Sequence, residues 1–272
     1  MTGPAPIRCP RELARALTTA LLLPGEPVGV RVFTDAGAFE AWPWPHPEAP
    51  LYYCSAVKMA AEGVSLKLAR ADIECDTAPR TLGLEPGFFD DDFIESYVTC
   101  GLYRDRNVAD AVLVDVATLR RTVGMAVAPF AAFPAEEPPD VVIVATTPYG
   151  VMRVTQAAAY NGHVVRSQAI GMHGICSEST AAPLVTGDIC TSLLCSGTRY
   201  VAGWDEHLMS IGIPRALVET VVNGLVGTIG RYETDNRKGE MRAACRRRPA
   251  PADALASELD ALPDGSGYFI RE

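Results

Sequence analysis

Cys54-Ser55-Ala56-Val57-Lys58-Met59-Ala60-Ala61-Glu62-Gly63, closed by Cys75, has a counterpart in Cys176-Ser177-Glu178-Ser179-Thr180-Ala181-Ala182, followed by Gly187 and closed by Cys195. Each copy reads Cys-Ser, Ala-Ala, Gly, an apolar strand-like run and a second cysteine, with Cys-to-Cys steps of 21 and 19 residues. Chance gives one such match easily; the same order twice points to two related halves. If a pseudo-twofold axis relates the halves, equivalent cysteines meet at it. Cys54, Cys75, Cys176 and Cys195 would then converge as ligands of an iron–sulfur cluster or a structural zinc ion. The expected fold is α/β: two pseudo-symmetric α/β halves with a metal cluster site between them.

Working outward, the first half (1–128) opens with Leu13, Leu17 and Leu21 spaced as one face of a helix over 11–23, which Pro24-Gly25 ends. Pro27–Phe33 alternates as a strand, and the four prolines of 42–50 enforce an extended loop whose Trp42 and Trp44 are expected to pack it down. A helix at 52–62 is stopped by Gly63, a strand follows at 64–69, and helices are expected near 91–103 and 106–122. The Pro-rich stretch 129–139 reads as a linker. The second half (140–230) begins with Val141-Val142-Ile143-Val144-Ala145, a continuous apolar run suited to a sheet covered on both faces. A helix at 148–160 and a strand at 163–169 complete an expected βαβ unit. Beyond it are expected a short helix near Ser177, strands near 189–195 and 199–202, and a helix over 214–226. Residues 231–272 are polar and Pro-rich, and read as an irregular tail.

The chain has 272 residues, 48% of them hydrophobic, and a net charge of −9. That length suits one large domain or two small ones. The negative balance argues against non-specific nucleic-acid binding, which needs a basic surface; the Arg246-Arg247-Arg248 run reads as a solvated tail. No apolar stretch approaches the ~20 residues of a membrane helix. Glu12 interrupts the N-terminal arginines, and Pro24-Gly25-Glu26 is no small-residue cleavage site, so a secretory signal is not expected. A cytoplasmic protein follows, in which eight cysteines serve metal binding or catalysis rather than disulfides.

The placement of the four cysteines suits a cluster. Cys54 and Cys176 each precede a helical run, where unpaired N–H groups and the helix dipole stabilise a thiolate. Structural zinc sites bring cysteines in Cys-x2-Cys pairs, and here Cys190-x4-Cys195 is the closest spacing. Wide spacing favours a cluster and leaves zinc, or inert buried thiols, as alternatives. Cys9 and Cys245 fall in polar ends, while Cys100 and Cys190 read as core residues. Around the cysteines, His173 is a candidate acid–base group and Arg199 a candidate anchor for a substrate carboxylate or phosphate. Lys58, one turn after Cys54, is a candidate to face the same pocket, although a loop histidine, a structural ion pair and a solvated lysine are the plain readings of the three. The polar turn Asp76–Leu84 is expected to line the cavity. Fingerprints for dinucleotides, Walker A loops, Gly-x-Ser-x-Gly elbows, His-Glu-x-x-His and Cys-x3-Cys-x2-Cys are all absent.

As an ensemble these pieces resemble the uncharacterised ArCR family, a domain of unknown function. The pieces are Pro27–Val32, Tyr53-Cys54 with Ala60-Ala61-Glu62-Gly63, Cys75 with Leu82-Gly83-Leu84, Glu137–Asp140, Cys176 with Ala182-Pro183, and Ser192–Arg199. In place of the Gly-Gly-type turn usual after the second cysteine, this chain has Asp76-Thr77-Ala78. The resemblance singles out the same four cysteines and implies no reaction. The expected function is that of a [4Fe–4S] enzyme acting on a small molecule, by electron transfer or by Lewis-acid or sulfur chemistry, with an electron-donor protein as partner and a monomer or homodimer as its state. A non-catalytic redox sensor and a structural zinc protein are the alternatives.

Overall fold

The alternating apolar run Val28–Phe33 and the continuous run Val141–Thr146 form two adjacent central strands of one sheet. The computed structural model describes residues 9–85, 89–166, 171–247 and 254–262. In chain order the first elements are α1 (Pro10–Leu21), β1 (Val28–Phe33), α2 (Ala36–Glu40), α3 (Tyr53–Ala61), β2 (Leu66–Leu68) and α4 (Thr77–Thr81). Next come α5 (Asp91–Thr99), α6 (Arg106–Leu113), β3 (Gly124–Pro129), β4 (Val141–Thr146) and α7 (Pro148–Tyr160). A π-helical segment at Ile175–Ala181 runs into α8 (Ala182–Thr186), then β5 (Cys190–Ser192) and a π-helical turn at Gly197–Val201. β6 (Met209–Pro214), α9 (Arg215–Tyr232), α10 (Asp235–Arg247) and α11 (Ala254–Ala261) complete it.

The six strands lie in the order β2-β3-β1-β4-β6-β5, and every neighbouring pair is antiparallel. The period-2 geometry of β4 explains its unbroken apolar sequence. Val142 and Val144 join the core beneath α1, α7 and α9, while Val141 and Ile143 join the opposite core under α3 and the π-helical segment. Trp42 and Trp44 do pack their loop down, edge-on to one another at 5.4 Å between ring centroids and against Phe133.

Several expectations are corrected. The βαβ unit is absent, because β4 has only antiparallel neighbours. The described part of the expected 163–169 strand, residues 163–166, is irregular, with His163 tied to Asp188 at 2.7 Å; residues 167–170 lie outside the described residues. The expected strand at 199–202 is instead the π-helical turn. β3 and β6 appear where no strand was expected. In β6, Gly212 lets the π-helical segment press onto the sheet: a Cβ there would sit 2.1 Å from the Ser179 carbonyl oxygen. α6 ends at Leu113 rather than 122, since the chain beyond turns back to α4 through Leu119 N–H to Thr81 O and Thr122 N–H to Gly83 O. The polar tail is not irregular as a whole. α10 and α11 bury Met241, Cys245, Leu255 and Leu259 in the core that α1 and α9 share. The described arginines of the basic run, Arg246 and Arg247, are exposed at the end of α10.

Candidate functional site

The four cysteines of the duplicated pattern line one cavity of about 320 Å³. Each arrives from a different local structure. Cys54 sits in the first turn of α3, behind an extended Tyr52, and its carbonyl accepts a hydrogen bond from Trp204 Nε1 at 3.2 Å. Cys75 follows the bridge that joins Leu51 to Ile73 and precedes α4. Cys176 lies in the first turn of the π-helical segment and donates from Sγ to the His173 carbonyl at 2.9 Å. Cys195 stands just before the π-helical turn, whose Thr198 N–H donates to its Sγ at 3.5 Å. The preceding Leu194 adopts a left-handed backbone, φ 65°, held by Ser192 Oγ on the Leu194 amide, with Glu178 accepting from the same hydroxyl.

The thiols feel one another. Burial pushes the Cys54 thiol up to about 12, reinforced by negative charge on Cys195 and Cys75 and opposed by a hydrogen bond from Thr198. Cys176 is raised well above the ordinary thiol value by burial and then by Cys75, Cys195 and Cys54. Without a positive charge among them, these two therefore stay protonated at neutral pH. All eight cysteines are free thiols. Cys190 is buried, as is Cys245 of the polar tail, whereas Cys100, expected in the core, is exposed at the end of α5.

Of the acid–base and anchoring candidates, only His173 lines the cavity. Its side chain is buried at 1% exposure, and among the described residues neither ring nitrogen has a hydrogen-bond partner. The ring lies against Phe89 at 5.4 Å and Tyr97 at 5.9 Å between centroids. Burial holds its pKa down at about 4, so the imidazole is neutral at physiological pH. Arg199 turns to main-chain oxygens, donating to Leu193 O at 2.6 Å, Asp205 O at 3.0 Å and Leu208 O at 3.2 Å. Lys58 likewise donates to Ala202 O at 3.1 Å and Gly203 O at 2.7 Å. Both cations staple the loop after Cys195, and neither lines the cavity. The Asp76–Leu84 turn divides: Thr77 and Ala78 line the cavity and later residues do not.

The sequence reading missed the tyrosines. Tyr97 lines the cavity and shares a 2.6 Å hydrogen bond with Thr77. Tyr52 lines it from the other side, its hydroxyl raised by burial and by Cys75 and Glu74. Tyr52 was findable, being two residues before a candidate ligand; Tyr97 lies in no motif. Among the described residues, no group of three or more His, Cys, Asp or Glu side chains stands close enough to grip a single metal ion. No helix among them is long and apolar enough to cross a membrane.

No curated protein and no solved structure matches the chain. The model of the uncharacterised ArCR family, domain of unknown function 169, matches residues 16–224. With the match spanning most of its 272 residues and the cavity built from the cysteines that carry the resemblance, the chain belongs to the uncharacterised ArCR family.

Proposed function

We propose that Cys54, Cys75, Cys176 and Cys195 hold a [4Fe–4S] cluster, and that this protein is a cytoplasmic enzyme acting on a small molecule beside it. The observation that carries the reading is the convergence of four cysteines, remote in sequence and duplicated in pattern, on one cavity. A single zinc ion draws its thiolates to ~2.3 Å from one point, which the described side chains do not approach. A cluster interposes irons and sulfides and holds its thiolates farther apart. Amide N–H groups at the Cys54 and Cys176 helix starts, and that of Thr198 on Cys195, would offset cluster charge.

The reading includes a pseudo-twofold relation between halves 1–128 and 140–230 across the Pro-rich 129–139 segment. The strand order supports it: exchanging β1 with β4, β2 with β5 and β3 with β6 leaves β2-β3-β1-β4-β6-β5 unchanged when read from the other edge. In both halves a cysteine-bearing helix precedes the edge strand and the second cysteine follows it. A cluster with four cysteine ligands favours electron transfer, supplied by a donor protein. An iron left open by one cysteine would instead serve as a Lewis acid in dehydration or accept sulfide in desulfuration. His173, neutral and unpaired, is the available proton-handling group at the cavity wall.

The test is anaerobic purification followed by an absorption spectrum and iron, sulfide and zinc analysis. A brown protein with roughly four irons and four sulfides per chain is expected, with iron lost in Cys54→Ser and Cys176→Ser. Wild-type iron content in those variants, or a colourless protein carrying stoichiometric zinc, would sink the reading. Loading must also displace protons from Cys54 and Cys176, whose thiols are raised by burial. Reconstitution in weakly buffered solution should therefore acidify the medium more for the parent than for Cys54→Ser.

A further inference from the structure

A second concavity, of about 630 Å³, shares helix α4 with the cysteine cavity but none of its lining residues. Thr77 and Ala78 line the first; Arg80 lines the second, together with Gly83, Arg120, Arg121 and Thr122. The chain is stitched together here with care. Leu119 N–H donates to Thr81 O at 2.8 Å, and Thr122 N–H to Gly83 O at 3.0 Å. Gly83 adopts φ 71°, and a Cβ on it would lie 2.7 Å from the Leu119 carbonyl, so only glycine lets the two segments meet. Between the stitches Arg121 is forced to φ 61°, a left-handed conformation unfavourable for a residue with a Cβ. Such strain persists where the surroundings impose it, often at a site of use.

The polar groups here are under-used. Arg120 and Arg121 are exposed and make no hydrogen bond or ion pair among the described residues. Arg80 is largely buried, with one terminal nitrogen on Asp90 at 2.8 Å and its Nε buried without a partner. The Thr122 hydroxyl, on a residue 6% exposed, also has none. Glu85, the carboxylate lining the concavity, is occupied by Arg70 at 3.0 Å. Three arginines therefore line one concavity, Arg80 held in place by Asp90 and by the Phe93 ring at 5.1 Å, in a chain whose net charge is −9. Guanidiniums and hydroxyls together match phosphate and carboxylate oxygens, and the volume falls within the ~300–1,000 Å³ of small-molecule sites.

We propose that this concavity binds a small, multiply charged oxyanion, held by Arg120 and Arg121 over Arg80 and the Thr122 hydroxyl. The site does not depend on the cluster, so it is tested on the purified full chain without metal. Calorimetry with pyrophosphate and with tricarballylate, each at constant ionic strength, should give saturable one-to-one binding for at least one of them. Pyrophosphate alone identifies a phosphate-bearing ligand, tricarballylate alone a polycarboxylate. Arg120→Gln and Arg121→Gln should each weaken binding about tenfold or more, and Cys54→Ser should bind as the parent does. Arg121→Gly should bind as weakly as Arg121→Gln yet melt no lower than the parent, because glycine relieves the left-handed backbone. No saturable heat with either anion, or parent-like binding in the arginine variants, overturns the proposal.

Discussion

Arg153 and His173 are equally buried, each 1% exposed, and the protein treats them in opposite ways. Arg153 spends its guanidinium on Glu233 at 2.6 Å, Gln156 at 2.9 Å and Thr228 at 3.0 Å. Glu233 is completed by Tyr149 at 2.9 Å and Arg237 at 2.8 Å. That network locks α7 onto α9 and needs nothing from outside. Among the described residues His173 has no partner at either nitrogen. Buried polar groups are normally paired because an unmade hydrogen bond inside costs more than a made one gains. The contrast therefore separates a group whose hydrogen bonds are all spent on the frame from one that, among the described residues, spends none; under the proposed function the second is the one with capacity left for a ligand.

The largest expected effect breaks the frame. Glu233→Ala strands the Arg153 charge in the core and should lower unfolding free energy by about 3–5 kcal/mol in denaturant titration. Replacing both as Arg153→Met with Glu233→Leu should recover most of that loss, since an apolar pair carries no desolvation cost. Equal losses in the single and double variants would show that the network is more than a satisfied pair. Next in size is Gly212→Ala. Its new Cβ meets the Ser179 carbonyl oxygen at 2.1 Å, so the segment carrying Cys176 must shift, at a cost of about 1–3 kcal/mol. If the cysteines hold a cluster, this variant should also retain less iron than its stability alone explains.

His173→Phe sharpens the comparison from the other side. Phenylalanine keeps the stacking against Phe89 and Tyr97 and removes two unpaired nitrogens. The metal-free protein should be unchanged or stabilised, by up to about 1–3 kcal/mol, where most buried polar substitutions destabilise. A clear loss of stability in a thermal melt would mean that the imidazole has a structural partner, and the contrast with Arg153 would collapse.

How far all this was legible depends on the kind of signal. β1 and β4 were readable because their apolar patterns are complete within six residues. β3, Gly-Met-Ala-Val-Ala-Pro, is covered on both faces and built of small residues, so neither alternation nor bulk marks it. β6 hides behind Gly212, whose reason is a packing contact from Ser179, and behind the proline that ends the strand. α10 looks too polar for a core, yet Met241 and Cys245 suffice when α1 and α11 close over them. At the site, the cysteines were legible because order and spacing repeat. The roles of Lys58 and Arg199 were not, because a cation reads the same whether it meets a substrate or the carbonyl oxygens of a loop. Tyr97 reaches the cavity only through the way α5 folds back, which no local pattern encodes.

The smallest expected effect concerns that helix. α5 brings Tyr97 to the cavity, with Phe93 packed behind it, and is capped by Asp90, whose side chain accepts from the Phe93 amide at 2.9 Å and pairs with Arg80 at 2.8 Å. The Phe93 amide first, and Arg80 as well, hold the Asp90 carboxyl below its ordinary value against slight desolvation. A depressed folded-state pKa means that the cap contributes stability above the unfolded aspartate value of about 3.9. The contribution is lost as pH falls through the lower folded value. Amide hydrogen exchange in 91–99, once corrected for its intrinsic slowing in acid, should therefore lose protection on acidification in the parent. In Asp90→Ala it should be faster at neutral pH and lack that acid-dependent component. Because Asp90 is exposed, global stability should barely move, while the cover over His173 loosens locally. If instead the two proteins show the same protection in α5 at neutral pH, then packing of Phe93 against Phe89 rather than the cap holds the helix, and the wall above His173 belongs to the frame.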